Sequence, residues 1–278
     1  MAQRNFWSAV HFIRFPTLMG ATHTLLQIAA LALLLIAALS LLLTATTSRL
    51  FAAEGAVVLM YHRFGESRFP STSIRLEQFE AHLAELRRGP YQVLPLEQIV
   101  RALQAGEALP ERTVALTIDD AYASVYTEAW PRLRAAGAPF TVFVSTEPVD
   151  RGHTGTMTWE QMREMARSGL ADFGNHTVSH PHLPNHDLAR ARKELTKGSA
   201  RLRAKLGKRP SLFAYPYGEE SEALRHVVRE AGMLAAFGQH SGVVWGGEGF
   251  YLLPRFALNE HYGALERFKL AINALPLL

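Results

Sequence analysis

Short apolar runs alternate with amphipathic segments over most of the chain, and this alternation constrains the fold more than any other feature. The runs have the length of β-strands, and the segments between them carry apolar residues at helical spacing. In Arg75–Arg88, for example, Leu76, Phe79, Leu83 and Leu86 fall on one helix face. Repeated strand–helix units predict a mainly parallel sheet covered by helices. Residues 54–278 form one unit of 225 residues. The large number of predicted strands in it favours a barrel-like closure over a doubly wound sheet.

The predicted elements follow from apolar spacing and from the glycines, prolines and capping residues between the runs. The predicted strands are Ala56–Tyr61, Thr113–Ile118, Phe140–Ser145, Asp172–Asn175, Leu212–Tyr215, Leu234–Phe237 and Tyr251–Leu253. The predicted helices are Arg75–Arg88, Tyr126–Ala136, one that begins at Thr158, Asp187–Leu206, Ser221–Ala231 and one over about Tyr262–Asn273. In such a barrel, chemistry lies at the carboxyl ends of the strands.

The run Leu25–Leu43 contains 19 residues and no charge. At ~1.5 Å per residue a helix of this length spans the hydrocarbon core of a bilayer. Arg4 and Arg14 precede it, so we expect residues 1–24 to stay in the cytoplasm and the chain after the run to be exported. The run is long for a signal peptide, which favours an uncleaved transmembrane anchor over a cleaved leader.

This organisation predicts a linker at residues 44–54 and one folded domain at residues 55–278. The domain would be anchored to the inner membrane and lie in the periplasm or outside the cell, or be secreted if the leader is cleaved. We expect contact with the membrane through the N-terminal helix, and the oligomeric state stays open.

Composition excludes cysteine-dependent chemistry and argues against a nucleic-acid partner. The chain has no cysteine, so a disulfide scaffold, a cysteine nucleophile and a thiolate metal site are excluded. Residues 1–53 hold three arginines and no acid, and the remainder holds 26 basic and 25 acidic residues. This near-neutral balance does not favour a nucleic-acid partner.

Two adjacent carboxylates, Asp119 and Asp120, end the second long strand. Neighbouring residues on an extended chain point to opposite faces, so the two acids can have different functions. An isolated Asp pair is also typical of a strand end that caps a following helix.

Two histidines, His176 and His180, follow another strand end at helical spacing. Such spacing brings both imidazoles to one face of a turn, as metal ligation requires. Two histidines and one carboxylate make a three-ligand site with open positions for water and substrate. Two unrelated loop histidines are the alternative.

Two further strand ends carry polar residues. The segment Phe213–Gly218 contains Tyr215, Pro216 and Tyr217, and its turn could fix a backbone N–H near a metal. His62 ends the first strand, where a structural histidine is the competing interpretation.

Together these motifs resemble the polysaccharide deacetylase family (the NodB-homology domain, carbohydrate esterase family 4). Thr117–Asp120 is similar to the family's T-F-D-D motif, and His176–His180 to its H-[ST]-x-x-H motif. The resemblance covers about residues 55–258 and implies an α/β fold, a deformed (β/α) barrel, for the catalytic domain at 55–278. It also implies that Asp120, His176 and His180 bind a metal, that Asp119 is the catalytic base, and that the Tyr217 N–H faces the oxyanion.

The chain departs from the family pattern at two motifs. Ala214 stands where the family has the arginine that pairs with the base, and the late Leu-x-His motif is not evident. These departures resemble the exported poly-β-1,6-N-acetylglucosamine deacetylases, in which an early histidine replaces the late one. On that resemblance His62 is the general-acid candidate, and we infer that Arg255 replaces the lost arginine beside Asp119. We also expect Tyr215 and Tyr217 to contact substrate.

The predicted reaction is hydrolysis of N-acetyl groups on an N-acetylglucosamine polysaccharide. The resemblance implies a divalent metal, zinc or alternatively cobalt or nickel, that lowers the pKa of a bound water. Deacetylation of peptidoglycan or chitooligosaccharides is an alternative within the enzyme class. A non-catalytic, metal-dependent carbohydrate-binding module is an alternative outside it, and a membrane scaffold would explain the anchor alone.

Overall fold

A computed structural model describes residues 30–37, 52–53, 55–247 and 249–274, with the backbone alone for 52–53. Its strands are β1 (Ala52–Ala53), β2 (Gly55–Tyr61), β3 (Arg63–Phe64), β4 (Ser73–Ile74), β5 (Gln92–Val93), β6 (Leu109–Pro110), β7 (Thr113–Asp119), β8 (Phe140–Val144), β9 (Ala171–Asn175), β10 (Leu212–Ala214), β11 (Ala235–Phe237), β12 (Val244–Trp245) and β13 (Phe256–Ala257).

The helices lie between these strands in the chain, and their apolar faces pack against the sheet. They are α1 (Leu76–Arg88), α2 (Leu96–Gln104), α3 (Trp130–Ala136), α4 (Thr146–Asp150), α5 (Trp159–Arg167), α6 (Leu188–Leu206), α7 (Glu222–Glu230) and α8 (Leu265–Ile272). A π-helical turn, Val125–Ala129, precedes α3, and 3₁₀ turns occupy Leu183–Asn185 and Pro216–Gly218.

The main sheet is mostly parallel and has the order β11-β10-β9-β8-β7-β2, with β13 parallel to β2 and β12 antiparallel to β2. A parallel bridge between Phe237 and Leu253 joins β11 to the segment just before β13, so the sheet curls back on itself. The expected deformed barrel is therefore present. The carboxyl ends of its parallel strands open at one mouth.

Side-chain alternation in β2 explains the two layers of the core. Val57, Leu59 and Tyr61 pack in the outer cluster beneath the helices, whereas Ala56 and Val58 pack in a second cluster with α2, β10 and β11. The outer cluster contains Phe79, Leu83 and Leu86, three of the four apolar positions expected on one face of α1, with Leu76 packed against it.

Three differences from the predicted elements have local causes. Tyr251–Leu253 is a turn and not a strand. Only Leu253 pairs with β11, through one isolated bridge to Phe237. Tyr126–Ala136 divides into the π-helical turn and α3, and Pro131 lies in the first turn of α3. Helix α2 and strand β13 were not predicted, and β13 is only two residues long.

The predicted membrane run, 25–43, lies largely outside the described residues. Residues 30–37 are helical and expose Leu31, Leu33, Leu34, Leu35 and Ile36. Within the part of the chain that the structure describes, no helix has the length and apolar character needed to cross a membrane. Of the predicted linker 44–54, the described residues 52–53 form β1, which pairs with β6.

Candidate active site at the mouth of the barrel

The two adjacent carboxylates differ because the chain turns sharply between them. Asp119 is the last residue of β7 and is fully buried. Asp120 has a φ of 73°, and its N–H donates to the Phe143 carbonyl at 3.0 Å. A short acidic side chain tolerates this left-handed conformation better than most residues. The turn sends the Asp120 side chain into the cleft while Asp119 stays beneath it.

Asp119 forms a bidentate ion pair with Arg255, and both side chains are fully buried. The two guanidinium nitrogens, Nη1 and Nη2, each lie 2.8 Å from a carboxylate oxygen. The Arg255 Nε donates to the Gly238 carbonyl, and Nη1 also contacts the Thr117 hydroxyl. Burial favours the neutral acid, but the Arg255 charge and hydrogen bonds outweigh it and lower the pKa of Asp119. Asp119 is therefore held as a carboxylate.

His176 is oriented by its backbone and by one ring nitrogen. Its N–H donates to the Val144 carbonyl at 3.1 Å, and its Nδ1 donates to the Ala214 carbonyl at 2.8 Å. The second bond leaves Nε2 as the free ligand atom, and Nε2 lies 3.5 Å from Asp120 Oδ1. Burial tends to lower the pKa of His176, whereas the Asp120 hydrogen bond and the two carboxylates raise it, and the net direction is upward.

Helix α6 holds the turn that carries both histidines. Glu194 on α6 accepts hydrogen bonds from the N–H groups of Val178 and Ser179, each at 2.9 Å. A β-carbon at Gly198 would lie 2.9 Å from the Asn175 Oδ1 and 3.1 Å from the Thr177 carbonyl oxygen, so the helix can approach the turn this closely only without a side chain. The helix thus fixes the spacing of His176 and His180.

Asp120, His176 and His180 have the geometry of a metal site. Their ligand atoms all lie within 4.8 Å of one another, and the Asp120 Oδ1 is 3.3 Å from His180 Nε2. Two ligands about 2.0–2.1 Å from a tetrahedral zinc ion lie about 3.3 Å apart, so the observed spacing fits such an ion. The Nδ1 bond of His176 supplies the outer contact that metal-bound histidines usually have. The residues present therefore fit a divalent cation.

His62 also faces this cluster. Burial lowers the pKa of His62, the charges of Asp119 and Asp120 act against this, and the net pKa is below its ordinary value. A histidine whose pKa is lowered releases a proton readily when it carries one. His62, Asp120 and His180 line one cleft of about 610 Å³, which brings the early histidine to the predicted metal ligands.

Tyr217 forms one wall of that cleft. It has a φ of 60°, and its ring lies edge-on to His180 with the centroids 4.5 Å apart. The His182 ring stacks parallel to it at 3.8 Å, and the His182 Nδ1 donates to Glu219 at 2.9 Å. The Tyr217 side chain is 46% exposed, so part of the ring is available at the cleft.

The predicted substrate contact of Tyr215 is wrong. Its side chain is fully buried, packs against Phe213 with the ring centroids 5.0 Å apart, and its hydroxyl donates to the Tyr251 carbonyl. Residues two apart on an extended segment share a face, so Tyr215 points with Phe213 towards α6 and α7 and away from the cleft. The alternation of side chains along the strand would have predicted that Tyr215 is buried together with Phe213.

The sequence motifs do not identify Tyr122, which lies near Asp120. Burial of the Tyr122 hydroxyl, together with the negative charge of the nearby Asp120 carboxylate, raises the pKa of Tyr122 to about 12. The Arg63 guanidinium carbon lies 3.4 Å from the Tyr122 ring centroid and covers one face. A tyrosine two positions after an acid carries no distinctive sequence signal, so only the structure identifies it.

Comparison with known proteins gives a family and a fold for this chain. The family model described as polysaccharide deacetylase matches residues 106–236. A poly-β-1,6-N-acetyl-D-glucosamine N-deacetylase of Escherichia coli strain K12 is 29% identical over 235 residues, which cover 68% of this chain and 34% of that protein. The aligned region thus spans about a third of the length of the Escherichia coli protein.

Two solved structures share the fold. The structure of IcaB from Ammonifex degensii has a TM-score of 0.69 at 27% identity and covers 78% of this chain and 97% of that one. The Streptococcus pyogenes deacetylase PplD in complex with acetate has a TM-score of 0.74 at 23% identity and covers 80% of this chain and 99% of that one.

Proposed function

This chain is a member of the polysaccharide deacetylase family, and from that premise we propose that it removes N-acetyl groups from a poly-β-1,6-N-acetylglucosamine exopolysaccharide in a metal-dependent hydrolysis. The observation that carries the proposal is that two adjacent carboxylates have different surroundings. Asp119 is a buried, arginine-paired base, and Asp120 belongs to a three-ligand cluster that is open to a cleft. A binding module would need the cluster but not the base.

Asp120, His176 and His180 would hold the divalent cation, and their nitrogen and oxygen donors suit zinc, although cobalt or nickel could use the same ligands. When bound, such a cation lowers the pKa of a coordinated water and polarises an amide carbonyl. The supporting features are the free Nε2 of His176 and the 3.3 Å and 3.5 Å spacings around Asp120 Oδ1.

The remaining residues account for the proton transfers. Asp119 accepts a proton from the water whose oxygen forms the new bond to the acetyl carbon. The Tyr217 N–H donates a hydrogen bond to the carbonyl oxygen as negative charge develops on it. His62 donates a proton to the nitrogen as the C–N bond breaks, and the products are acetate and a free amine. The lowered pKa of Asp119 keeps this carboxyl ionised at neutral pH.

The choice of polymer rests on relatives and on the residues that differ from the family pattern. The Escherichia coli relative is named for poly-β-1,6-N-acetyl-D-glucosamine. Ala214 supplies only a backbone carbonyl to His176, so the arginine beside Asp119 comes from position 255. His62 directly follows β2 and does not come from the C-terminal region.

The location of the domain is part of the proposal. An uncharged run at 25–43 preceded by Arg4 and Arg14 supports a membrane anchor with the deacetylase domain in the periplasm or outside the cell. Labelling the intact cells with a membrane-impermeant lysine reagent tests this orientation. Label on the folded domain is expected in intact cells or in spheroplasts, from which the outer membrane has been removed, and protection in both with labelling only after lysis would contradict this orientation.

The test of function is acetate release by the purified full-length chain from β-1,6-linked N-acetylglucosamine oligomers, with β-1,4-linked oligomers in parallel. We expect release from the β-1,6 series, its loss after chelation and its recovery with zinc. Stoichiometric metal without acetate from any oligomer would contradict the proposal and favour a binding module. Faster release from the β-1,4 series would reassign the polymer.

A further inference from the structure

The barrel topology gathers basic residues at the end opposite the active site. Helices α1, α3, α5, α6 and α7 each lead directly into a strand of the parallel sheet, so their C-termini lie where those strands begin. We call this the amino end of the barrel. Each of the five helices has an arginine in its last turn. A cation there interacts favourably with the helix dipole, and the parallel arrangement collects these cations on one surface.

These arginines are exposed and carry charge that no acid neutralises. Within the described part of the chain none of them forms an ion pair: Arg87, Arg88, Arg134, Arg167, Arg203 and Arg229. The first turns of α1, α4, α5 and α7, on the side of the mouth, carry acids instead. The amino end is therefore the surface of the domain that suits an anionic partner.

A groove between α6 and the end of α7, the α6–α7 groove, gives this end a place for one anionic group. Its volume is about 500 Å³, it contains Arg203 and Arg209, and none of the described residues that line it is acidic. The Arg209 Nη2 donates to the Ala231 carbonyl at 2.7 Å, which holds the guanidinium beside the C-terminus of α7. A guanidinium has several N–H donors, so both arginines keep donors for a phosphate group.

Trp245 adds an exposed aromatic ring to the amino end. It pairs with Gly55, the first residue of β2, and so lies where that strand begins. Its side chain is 40% exposed, whereas most large aromatic residues of the domain are buried. Tryptophan is enriched at the boundary between lipid and water, because its ring is apolar and its N–H is polar. Exposed arginines together with a tryptophan suit the headgroup layer of an anionic bilayer.

The chain also enters the domain at the amino end. Strand β1 pairs with Leu109–Pro110, just before β7 begins, and β2 begins at Gly55. The uncharged run ends at Leu43, and Ala52 follows nine positions later (52 − 43). A connection of that length spans at most about 30 Å, so a membrane-embedded run would keep the amino end near the bilayer.

We infer that the amino end of the barrel docks on the surface of an anionic phospholipid bilayer, with a headgroup phosphate in the α6–α7 groove, so that the catalytic mouth faces away from the membrane. Strand β2 has seven residues, and at ~3.3 Å per residue the mouth lies about 23 Å farther from the lipid. The inference rests on the proposed membrane location for its partner and does not depend on the reaction. In this orientation the cleft is open to a polymer outside the bilayer.

The experiment measures which end of the domain lies near lipid. The chain has no cysteine, so Ala135→Cys and Ala189→Cys each provide one labelling site at an exposed alanine. Ala135 lies in the last turn of α3 at the amino end, and Ala189 lies in the first turn of α6 on the side of the mouth. Each full-length variant carries a fluorescent donor and is reconstituted in nanodiscs that contain acceptor-labelled lipid. The lipid is either phosphatidylcholine alone or its mixture with phosphatidylglycerol.

We expect energy transfer from the Ala135 site to exceed that from the Ala189 site by about twofold or more in the anionic nanodiscs, and high salt should reduce this difference because it screens the headgroup charge. Replacing Arg88→Gln and Arg203→Gln together should also reduce it. The matched control, Arg68→Gln with Arg190→Gln, removes two exposed arginines on the side of the mouth and should leave it unchanged. Equal transfer from both sites, or a difference that ignores lipid charge, would overturn the inference.

A second measurement separates the docking surface from the anchor. If the full-length chain stays in solution without detergent, flotation with phosphatidylcholine–phosphatidylglycerol vesicles tests the same surface. Salt-sensitive binding that the Arg88 and Arg203 substitutions weaken about tenfold, and the control pair does not, would support the inference without an anchor. Absence of binding, or tighter binding to soluble polyphosphate than to the vesicles, would overturn it. Neither measurement uses acetate release, so failure of the proposed reaction leaves both results interpretable.

Discussion

Two buried polar clusters of this molecule differ in what surrounds them. At the mouth of the barrel, Asp119 and Arg255 form a charged pair beside the His176 ring. Beneath α1 and α8, His82 accepts a hydrogen bond from the Tyr61 hydroxyl through Nδ1 and donates from Nε2 to the Gly263 carbonyl. The His82 ring also stacks on Phe268 at 3.9 Å. Both clusters are buried and hydrogen-bonded.

The difference shows that burial of a polar group does not identify a functional site, whereas the kind of partner does. Both ring nitrogens of His82 are satisfied by neutral groups and its face is covered, so burial lowers its pKa to about 4. His176 has one satisfied nitrogen and one that faces a carboxylate, and its pKa moves upward. A ligand atom that faces a carboxylate beside an open cleft marks the reactive cluster.

Substitution of one side chain in each cluster gives the largest predicted difference in kcat. Asp119→Asn should lower kcat by roughly 10²–10⁴-fold, because the amide cannot accept the proton, while the metal content stays stoichiometric. His82→Gln should keep kcat within about twofold. Acetate release and bound metal are measured on both variants. Normal turnover by Asp119→Asn would refute the assignment of the base.

Removal of one charge of the buried pair tests its contribution to stability. Arg255→Ala leaves the Asp119 charge buried without a partner and should reduce the free energy of unfolding by about 3–5 kcal/mol. Arg192→Ala, which breaks an exposed ion pair with Glu230, is the control and should cost under about 1 kcal/mol. Urea denaturation measures both values. Should Arg255→Ala not fold, Arg255→Lys keeps the charge and should show a smaller loss, and equal stability of all variants would contradict the argument.

Acidification should act on the His82 cluster. The pKa of His82 is about 4 in the folded chain and about 6.5 when unfolded, so the unfolded state binds more protons between these values. Stability from the neutral ring is present above pH ~6.5 and falls as the pH drops towards 4, by about 3 kcal/mol in total. Urea denaturation at several pH values measures this slope. His82→Gln should be less sensitive over the same range, and an unchanged slope would show that other groups cause it.

The smallest effect is expected at Tyr122, which supports Asp120 from outside the three-ligand cluster. Tyr122→Phe removes the hydroxyl near the Asp120 carboxylate and should weaken zinc binding by about tenfold, as is typical of outer-shell contacts. A competition titration with a chelator measures the change. Tyr126→Phe serves as the matched control, and equal zinc affinity in both variants would remove Tyr122 from the site.

The positions of the reactive residues could be predicted because motifs at strand ends converge in a parallel barrel. That topology alone is enough to predict that four of them lie together: Asp119, Asp120, His176 and His180. The contact of Arg255 with Asp119 followed from a missing charge, since a buried carboxylate requires a partner and Ala214 cannot supply one.

Supporting residues could not be predicted, because their function depends on side-chain direction and not on spacing. Glu194 accepts hydrogen bonds from the turn that carries His176 and His180. It lies on α6, whose sequence is that of an ordinary charged surface helix. His82 lies on the buried face of α1 between expected apolar positions. Tyr215 was assigned to the cleft because its neighbours in the motif are there, although the strand alternation points it to the core.

The bond between Arg255 and Asp119 joins residues 136 positions apart. Contacts of such long sequence separation form late when a chain folds, because loop closure must precede them. Before the last part of the barrel docks, the Asp119 carboxylate has no buried counterion, whereas the residues of the predicted metal cluster lie between positions 120 and 180. A nascent or truncated chain that ends before position 255 would contain the metal-binding motif without the poised base. Catalysis would therefore require the complete barrel, because Asp119 gains its buried counterion only when Arg255 lies beside it.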